Sequence, residues 1–126
     1  MIDQYRQIQV ETATPGELIL MVYDIAISSL KKARLKLSEG NLEEANNSLL
    51  KAQNAIAELM CALNLDVDEI AKSLYSLYAY MLRRLNDSVI RKQAKPIDEV
   101  VNLLSSLKEA WEEIVKRETG GVAVQA

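Results

Sequence analysis

The sequence contains no histidine, no phenylalanine, one cysteine, two prolines and four glycines among its 126 residues. Without histidine, the chain lacks the commonest general base and the commonest nitrogen ligand for metals, which disfavours catalytic triads, haem ligation and di-iron sites. Cys61 excludes an intramolecular disulfide, and its neighbours Met60 and Ala62 predict a small buried side chain in a reducing compartment. We therefore expect a protein that is not an enzyme and that binds neither a metal nor a cofactor.

The scarcity of proline and glycine leaves few residues for tight turns, while 49% of the residues are hydrophobic. This balance favours long helices over a sheet. We predict an all-α protein, namely an antiparallel up-down four-helix bundle with a short N-terminal arm or helix packed on it.

The charge pattern disfavours two classes of partner. The net charge is −3, and the basic residues are scattered among acidic ones, so the sequence has no electrostatic footprint for nucleic acid. The N-terminal residues lack the regions of a signal peptide, and the longest apolar run is far shorter than a membrane span. We expect no nucleic-acid partner, no membrane insertion and a cytoplasmic location.

Capping signals set the predicted helix boundaries. Thr14 and Glu17 match a capping box with Pro15 at the first helical position, and Gly40 is placed to end that helix. We predict one helical domain over about residues 1–118, a mobile arm over about 1–11, a disordered tail over about 119–126, and helices at about 15–37, 41–64, 66–93 and 96–117.

The segment LILMVY at residues 18–23 is apolar on every face of the predicted first helix. One stripe of that helix is enough for a bundle core, so Leu18, Met21 and Ile25 form an additional apolar patch. The methionine suits a surface that accepts varied apolar partners. The patch requires a cover, which is the bundle itself, the arm, a second copy of the chain or an apolar helix of a partner.

The third predicted helix carries tyrosine and arginine side chains that lie either in the core or at a contact with a partner. Tyr75 and Tyr78 lie in its apolar stripe, and we assign both to the core. Arg84 falls on the same helix next to apolar positions and needs a partner. That partner is Asp24 or Glu58 within the domain, or a polar group of a bound chain.

Four separated motifs extend from Tyr5 to Trp111. They are YRQ and VETATP at residues 5–7 and 10–15, LILMVYD at 18–24, KAQN with the following Ile56, Leu59 and Asn64, and LYSLYAYMLRRL at 74–85 with Leu107, Ala110 and Trp111. Together they resemble the flagellin-specific export chaperones of bacterial flagella.

This resemblance implies a cytosolic, non-enzymatic chaperone that uses no nucleotide. It would bind the disordered C-terminal segment of flagellin through apolar helical grooves, prevent premature polymerisation and aid flagellar type III secretion. Export-gate components and flagellar regulators are further partners that the resemblance implies. The alternative is a structural helical bundle that forms a homodimer through the apolar patch and has no flagellin client.

We predict twelve partner-binding residues on the arm and the first three helices. They are Tyr5, Ile8, Val10, Leu18, Met21, Val22, Ile25, Gln53, Ile56, Met60, Tyr78 and Arg84. The hypothesis is that Ile2, Tyr5 and Ile8 cover a groove near the apolar patch in the free protein. Client binding would then compete with the arm or reposition it.

Overall fold

The computed structural model describes residues 2–65 and 69–125, apart from the side chains of Ile2, Asp3, Tyr5 and residues 118–125. Over these residues the chain forms five α-helices: α1 Ile2–Thr12, α2 Pro15–Ser38, α3 Leu42–Cys61, α4 Glu69–Arg91 and α5 Lys95–Gln125. The described residues contain no strand. The predicted all-α class is confirmed.

The two ends of α2 have the capping chemistry that the sequence predicts. At the start, the Thr14 hydroxyl oxygen accepts a hydrogen bond from the Glu17 backbone N–H at 3.2 Å. At the end, Gly40 adopts a φ of 78°, which a residue with a side chain rarely tolerates. This conformation lets the Asn41 backbone N–H donate to the Lys36 carbonyl at 2.9 Å, as in a Schellman cap.

Helices α2 to α5 form a ring in which α2 contacts α3 and α5, and α4 contacts α3 and α5. Helices α2 and α5 are antiparallel, because Asp24 pairs with Lys108 whereas Arg34, further along α2, pairs with the earlier Asp98. The most extensive contact joins α2 and α3. Small side chains are buried on both helices, and they are Ala26, Ser29 and Ala33 on α2 and Ala45, Ser48, Ala52 and Ala55 on α3.

All four helices of the ring contribute to one hydrophobic core. Its largest fully buried side chains are Tyr23, Leu30, Leu49, Ile56, Tyr78, Met81, Leu85, Ile97, Val100 and Leu104. Tyr75 and Cys61, both predicted to be buried, lie outside it. Tyr75 is 43% exposed because it stands at the edge of the buried stripe of α4, and Cys61 is exposed as the last residue of α3.

Both chain termini are helical. The predicted short N-terminal arm or helix is α1, and α5 continues to Gln125, past the predicted helix end near residue 117. No proline follows Pro96, and Gly120 and Gly121 weaken a helix by about 1 kcal/mol each without removing a backbone N–H. Residues 1, 66–68 and 126 of the predicted boundaries lie outside the described residues. The single-domain limits remain a prediction.

Candidate functional site

The apolar patch is only partly covered in the structure. Leu18 is 37% exposed, Ile25 is 41% exposed, and Met21 between them is half-buried. Helix α1 runs beside this part of α2, and the two helices enclose a cleft of about 260 Å³. The cleft is lined by Arg6, Gln9 and Val10 of α1 and by Met21, Asp24 and Ile25 of α2.

The face that α1 turns toward the patch is not the predicted one. Arg6, Gln9 and Val10 share that face at helical spacing, which places Ile8 on the other side of α1. Ile8 is 60% exposed and does not cover the patch, so this part of the lid hypothesis is wrong for the free chain. The side chains of Ile2 and Tyr5, also assigned to the lid, lie outside the described residues.

Four of the predicted contact residues outside the patch differ in accessibility. Ile56 is fully buried and Tyr78 is 2% exposed, because both point into the centre of the ring. We therefore leave them out of the contact surface. Val22 and Met60 are partly buried and pack against the core with one side, which leaves their other side available.

The predicted polar contacts, Gln53 and Arg84, already have partners within the chain. The Gln53 side-chain amide donates to the Asn86 side-chain oxygen at 2.9 Å and links α3 to α4. Arg84 pairs with Asp87 at 3.1 Å and with Glu99 at 3.3 Å. The predicted pairing of Arg84 with Asp24 or Glu58 is wrong, since the side chain of Arg84 points from α4 toward Glu99 of α5.

Glu99 has a second partner next to Arg84. The Tyr80 hydroxyl donates a hydrogen bond to the Glu99 carboxylate, and this bond, together with desolvation and the carboxylate charge, raises the pKa of Tyr80. The group joins α4 to α5 and is partly exposed. It keeps the two helices in register and leaves little of the Arg84 guanidinium for an external ligand.

A second apolar cleft, of about 340 Å³, opens between α4 and α5 near the end of α3. All its lining side chains are apolar, and they are Leu63, Ile70, Ala71, Leu74, Leu107, Ala110, Trp111 and Ile114. Helical spacing assigns Ile70 and Ile114 to the core, yet they are 65% and 45% exposed. Sequence reasoning missed this cleft because spacing does not reveal where two neighbouring helices diverge.

Behind this cleft, two tyrosine side chains form a polar pair inside the core. The hydroxyls of Tyr23 and Tyr78 share a hydrogen bond between α2 and α4. Burial raises the pKa of both phenols, and the bond to Tyr78 raises that of Tyr23 further, whereas nearby Trp111 partly offsets the rise. Neither hydroxyl is left without a partner, so the pair fixes how α2 and α4 are rotated against each other.

The tyrosine pair predicts a loss of stability at alkaline pH. Both phenols stay protonated in the folded protein above pH 10, where the same groups ionise in the unfolded chain. Their stabilising effect is therefore complete below pH 10 and declines above it, by at most about 1.4 kcal/mol per pH unit for each tyrosine, until the pH reaches the folded-state pKa of that group. Denaturant unfolding between pH 8 and about 11 measures this slope.

The double variant Tyr23→Phe/Tyr78→Phe removes both titrating groups together, so neither hydroxyl is left facing the other's empty place. The Trp111 side chain loses its hydrogen bond to the phenols, which lowers stability equally at every pH and leaves the slope as the readout. Its free energy of unfolding should decline less steeply above pH 10 than that of the wild type. Tyr75→Phe, at a 43% exposed position of α4, should keep the wild-type slope. An unchanged slope in the double variant would contradict the proposed origin of the alkaline instability.

The described residues hold no group of three or more His, Cys, Asp or Glu side chains that could bind a metal ion. Within the same residues, no helix is both long and apolar enough to cross a membrane. The prominent surface features are instead apolar: the patch on α2, its cleft with α1, and the cleft between α4 and α5. Such surfaces are suited to binding another polypeptide.

Comparison with known proteins identifies the class. The family model described as "Flagellar protein FliS" matches residues 1–118. The flagellar secretion chaperone FliS of Bacillus subtilis is 34% identical over 125 residues, which cover 94% of this chain and 93% of the relative. That of Salmonella typhimurium is 42% identical over 120 residues, which cover 90% and 88%.

A solved structure described as the crystal structure of a flagellar chaperone from bacteria has the same fold. Its TM-score is 0.76 at 20% identity, and the match covers 92% of this chain and 98% of that chain. Fold and sequence thus place the protein among the non-enzymatic chaperones of flagellum biogenesis. The chain belongs to the FliS family. The predicted family and the prediction of a non-enzyme are confirmed.

Proposed function

We propose that this protein binds the disordered C-terminal segment of flagellin in the bacterial cytosol. It keeps that segment from polymerising prematurely and presents it to the flagellar type III export gate. The observation that supports this proposal most is the partly exposed apolar patch of Leu18, Met21 and Ile25 beside α1. A folded protein that leaves such a patch open on a rigid helix has a surface ready for an apolar partner.

The geometry of the patch fits an amphipathic helical client. Its three residues follow each other at steps of three and four, so they form a straight apolar ridge along α2. A client helix with apolar side chains at the same steps would pack along this ridge. Ordering a disordered client costs about 2–5 kcal/mol of the gross interaction, which keeps the complex releasable for export.

The proposed contact surface starts from the patch and extends to Val10 on α1, which is 50% exposed. Gln53 and Met60 on α3 are the next candidates, because each keeps part of its side chain at the surface. A contact with Arg84 would have to compete with the ion pairs that hold it to α5. The role of Tyr5 as lid or contact stays a prediction.

Isothermal titration calorimetry with a flagellin C-terminal segment tests the proposal. We expect one segment to bind per chain, with a large negative heat-capacity change, because apolar surface is buried and a disordered segment becomes ordered. Binding with no heat-capacity change would argue against burial of the apolar patch. Absence of binding would refute the proposed client.

Sedimentation of the free protein over a range of concentrations separates this function from the alternative of a homodimerising bundle. A client-binding chaperone should remain monomeric as its concentration rises. Self-association that Leu18→Glu abolishes would instead assign the patch to a second copy of the chain.

A further inference from the structure

The outer face of α2 changes character along its length. Leu18, Met21 and Ile25 are followed on the same face by Ser28 and Lys32, at continuing steps of three and four residues. The Ser28 hydroxyl donates to the Ile25 carbonyl at 3.2 Å, so the polar part begins directly where the apolar patch ends. From Leu18 to Lys32, this face therefore carries an apolar part followed by a polar, basic part.

The polar half forms one wall of a groove of about 380 Å³ between α2 and α3. Every side chain that lines it is polar, and they are Ser28, Ser29 and Lys32 of α2 and Glu44, Asn47, Ser48 and Lys51 of α3. From Glu44 to Lys51 the groove extends along α3 for about 10 Å, at 1.5 Å per residue. It is long enough for about three residues of extended chain.

The groove carries positive charge that the described residues do not neutralise. Lys32 and Lys51 face it from opposite helices, and neither forms an ion pair with any of those residues. The acidic side chain in the groove, Glu44, is already paired with Lys36 at 3.3 Å. Lys51 lies in the middle of α3, where the helix dipole does not stabilise its positive charge.

The neighbouring groove between α2 and α5 serves as a comparison. There, Lys108 pairs with Asp24 at 2.5 Å and with Glu112 at 3.4 Å. Its remaining cations, Arg6 and Lys31, are accompanied by the carboxylate of Glu109. Charge is thus balanced within that groove, whereas the groove between α2 and α3 has two unpaired ammonium groups and one carboxylate, which is paired with Lys36 outside the groove.

We propose that the client segment continues from the apolar patch into the α2–α3 groove and places an acidic side chain between Lys32 and Lys51. This inference rests on the proposed flagellin-binding function, and it adds how the apolar and acidic parts of the client are arranged along α2. The apolar part of the client must lie over the N-terminal half of α2, and its acidic part over the C-terminal half. The Asn47 amide and the hydroxyl oxygen of Ser28, which can still accept a hydrogen bond, are placed to bind the client backbone.

The helix geometry also sets a spacing in the client. Ile25 and Lys32 are seven residues apart, which is about 10 Å along α2. An acidic residue should therefore follow or precede the client's apolar anchor by about seven residues if the client is helical there, or by about three if it is extended. Whether the acidic residue follows or precedes the apolar anchor depends on the direction in which the client chain runs along α2.

The test compares Lys32→Gln/Lys51→Gln with Lys95→Gln/Lys116→Gln in the full chain, using a flagellin C-terminal segment as the probe. Lys95 and Lys116 are exposed and form no ion pair with described residues, so both variants change the net charge equally. We expect the groove variant to bind about fourfold more weakly, about a factor of two for each exposed ion pair. Its affinity should also depend less on salt. The control variant should match the wild type.

A second segment, with its acidic residues changed to the corresponding amides, completes a double-mutant cycle. This segment should bind the wild type and the groove variant equally well. If the wild type binds the original segment and the groove variant binds it just as tightly at every salt concentration, the groove proposal is refuted while the flagellin proposal stands. If the wild type binds neither segment, both are refuted. Circular dichroism confirms that each variant keeps its helical content.

Discussion

Replacing Leu18 and Ile25 together by aspartate should weaken binding of the flagellin segment at least a hundredfold. Each side chain exposes more than a third of its surface in the free protein and would be buried under the client. Losing two such apolar contacts costs about 3 kcal/mol or more, and each new carboxylate would have to be desolvated beneath an apolar ridge. Since about 1.4 kcal/mol corresponds to a factor of ten, a hundredfold loss is the lower bound.

The matched control is Leu42→Asp. Leu42 is the first residue of α3 and is 37% exposed, as is Leu18, but it lies outside the patch and both clefts. This variant should bind the segment like the wild type. Calorimetry or competition binding measures all three proteins, and circular dichroism checks that they are equally helical. Wild-type affinity in the double variant would remove the patch from the binding site.

Local signals in the sequence were sufficient to predict the fold class and the start and end of α2. A capping residue acts on backbone groups three residues away, as Thr14 does on Glu17, so its effect can be read without knowing the tertiary structure. The same holds for Gly40 at the end of α2. The excess apolar surface on α2 was also predictable, because Leu18 and Ile25 exceed what one core-facing stripe requires.

The pairing of side chains between helices was not predictable in the same way. Which residue of α4 meets which residue of α5 depends on the rotation and offset of two packed helices, and helical spacing leaves both undetermined. Hence the sequence indicates that Arg84 needs an acidic partner but does not identify that partner as Glu99. The hydrogen bond between Tyr23 and Tyr78 joins residues 55 positions apart and has no sequence signal.

The same uncertainty in rotation explains the misassigned face of α1. The apolar side chain of Ile8 favours a place in the lid, yet the helix turns Arg6, Gln9 and Val10 toward α2. The described part of helix α1 makes no extensive contact with another helix of the bundle, whereas α2 packs tightly on α3. A short helix with few tertiary contacts opens at low cost, so a client can displace or join it without disturbing the rigid α2 surface.

That rigid surface depends on the core beneath it, which the adjacent residues Leu49 and Leu50 of α3 can test. Leu49 is 2% exposed and Leu50 is 56% exposed. Leu49→Ala should lower the free energy of unfolding by about 3 kcal/mol, because it removes buried methyl groups and leaves a cavity. The melting temperature should fall by about 10 °C.

Leu50→Ala makes the same chemical change on the solvent side and should alter stability by less than about 0.5 kcal/mol. Equal losses in denaturant unfolding would mean that Leu50 is covered in solution, as a second copy of the chain packed on α3 would require.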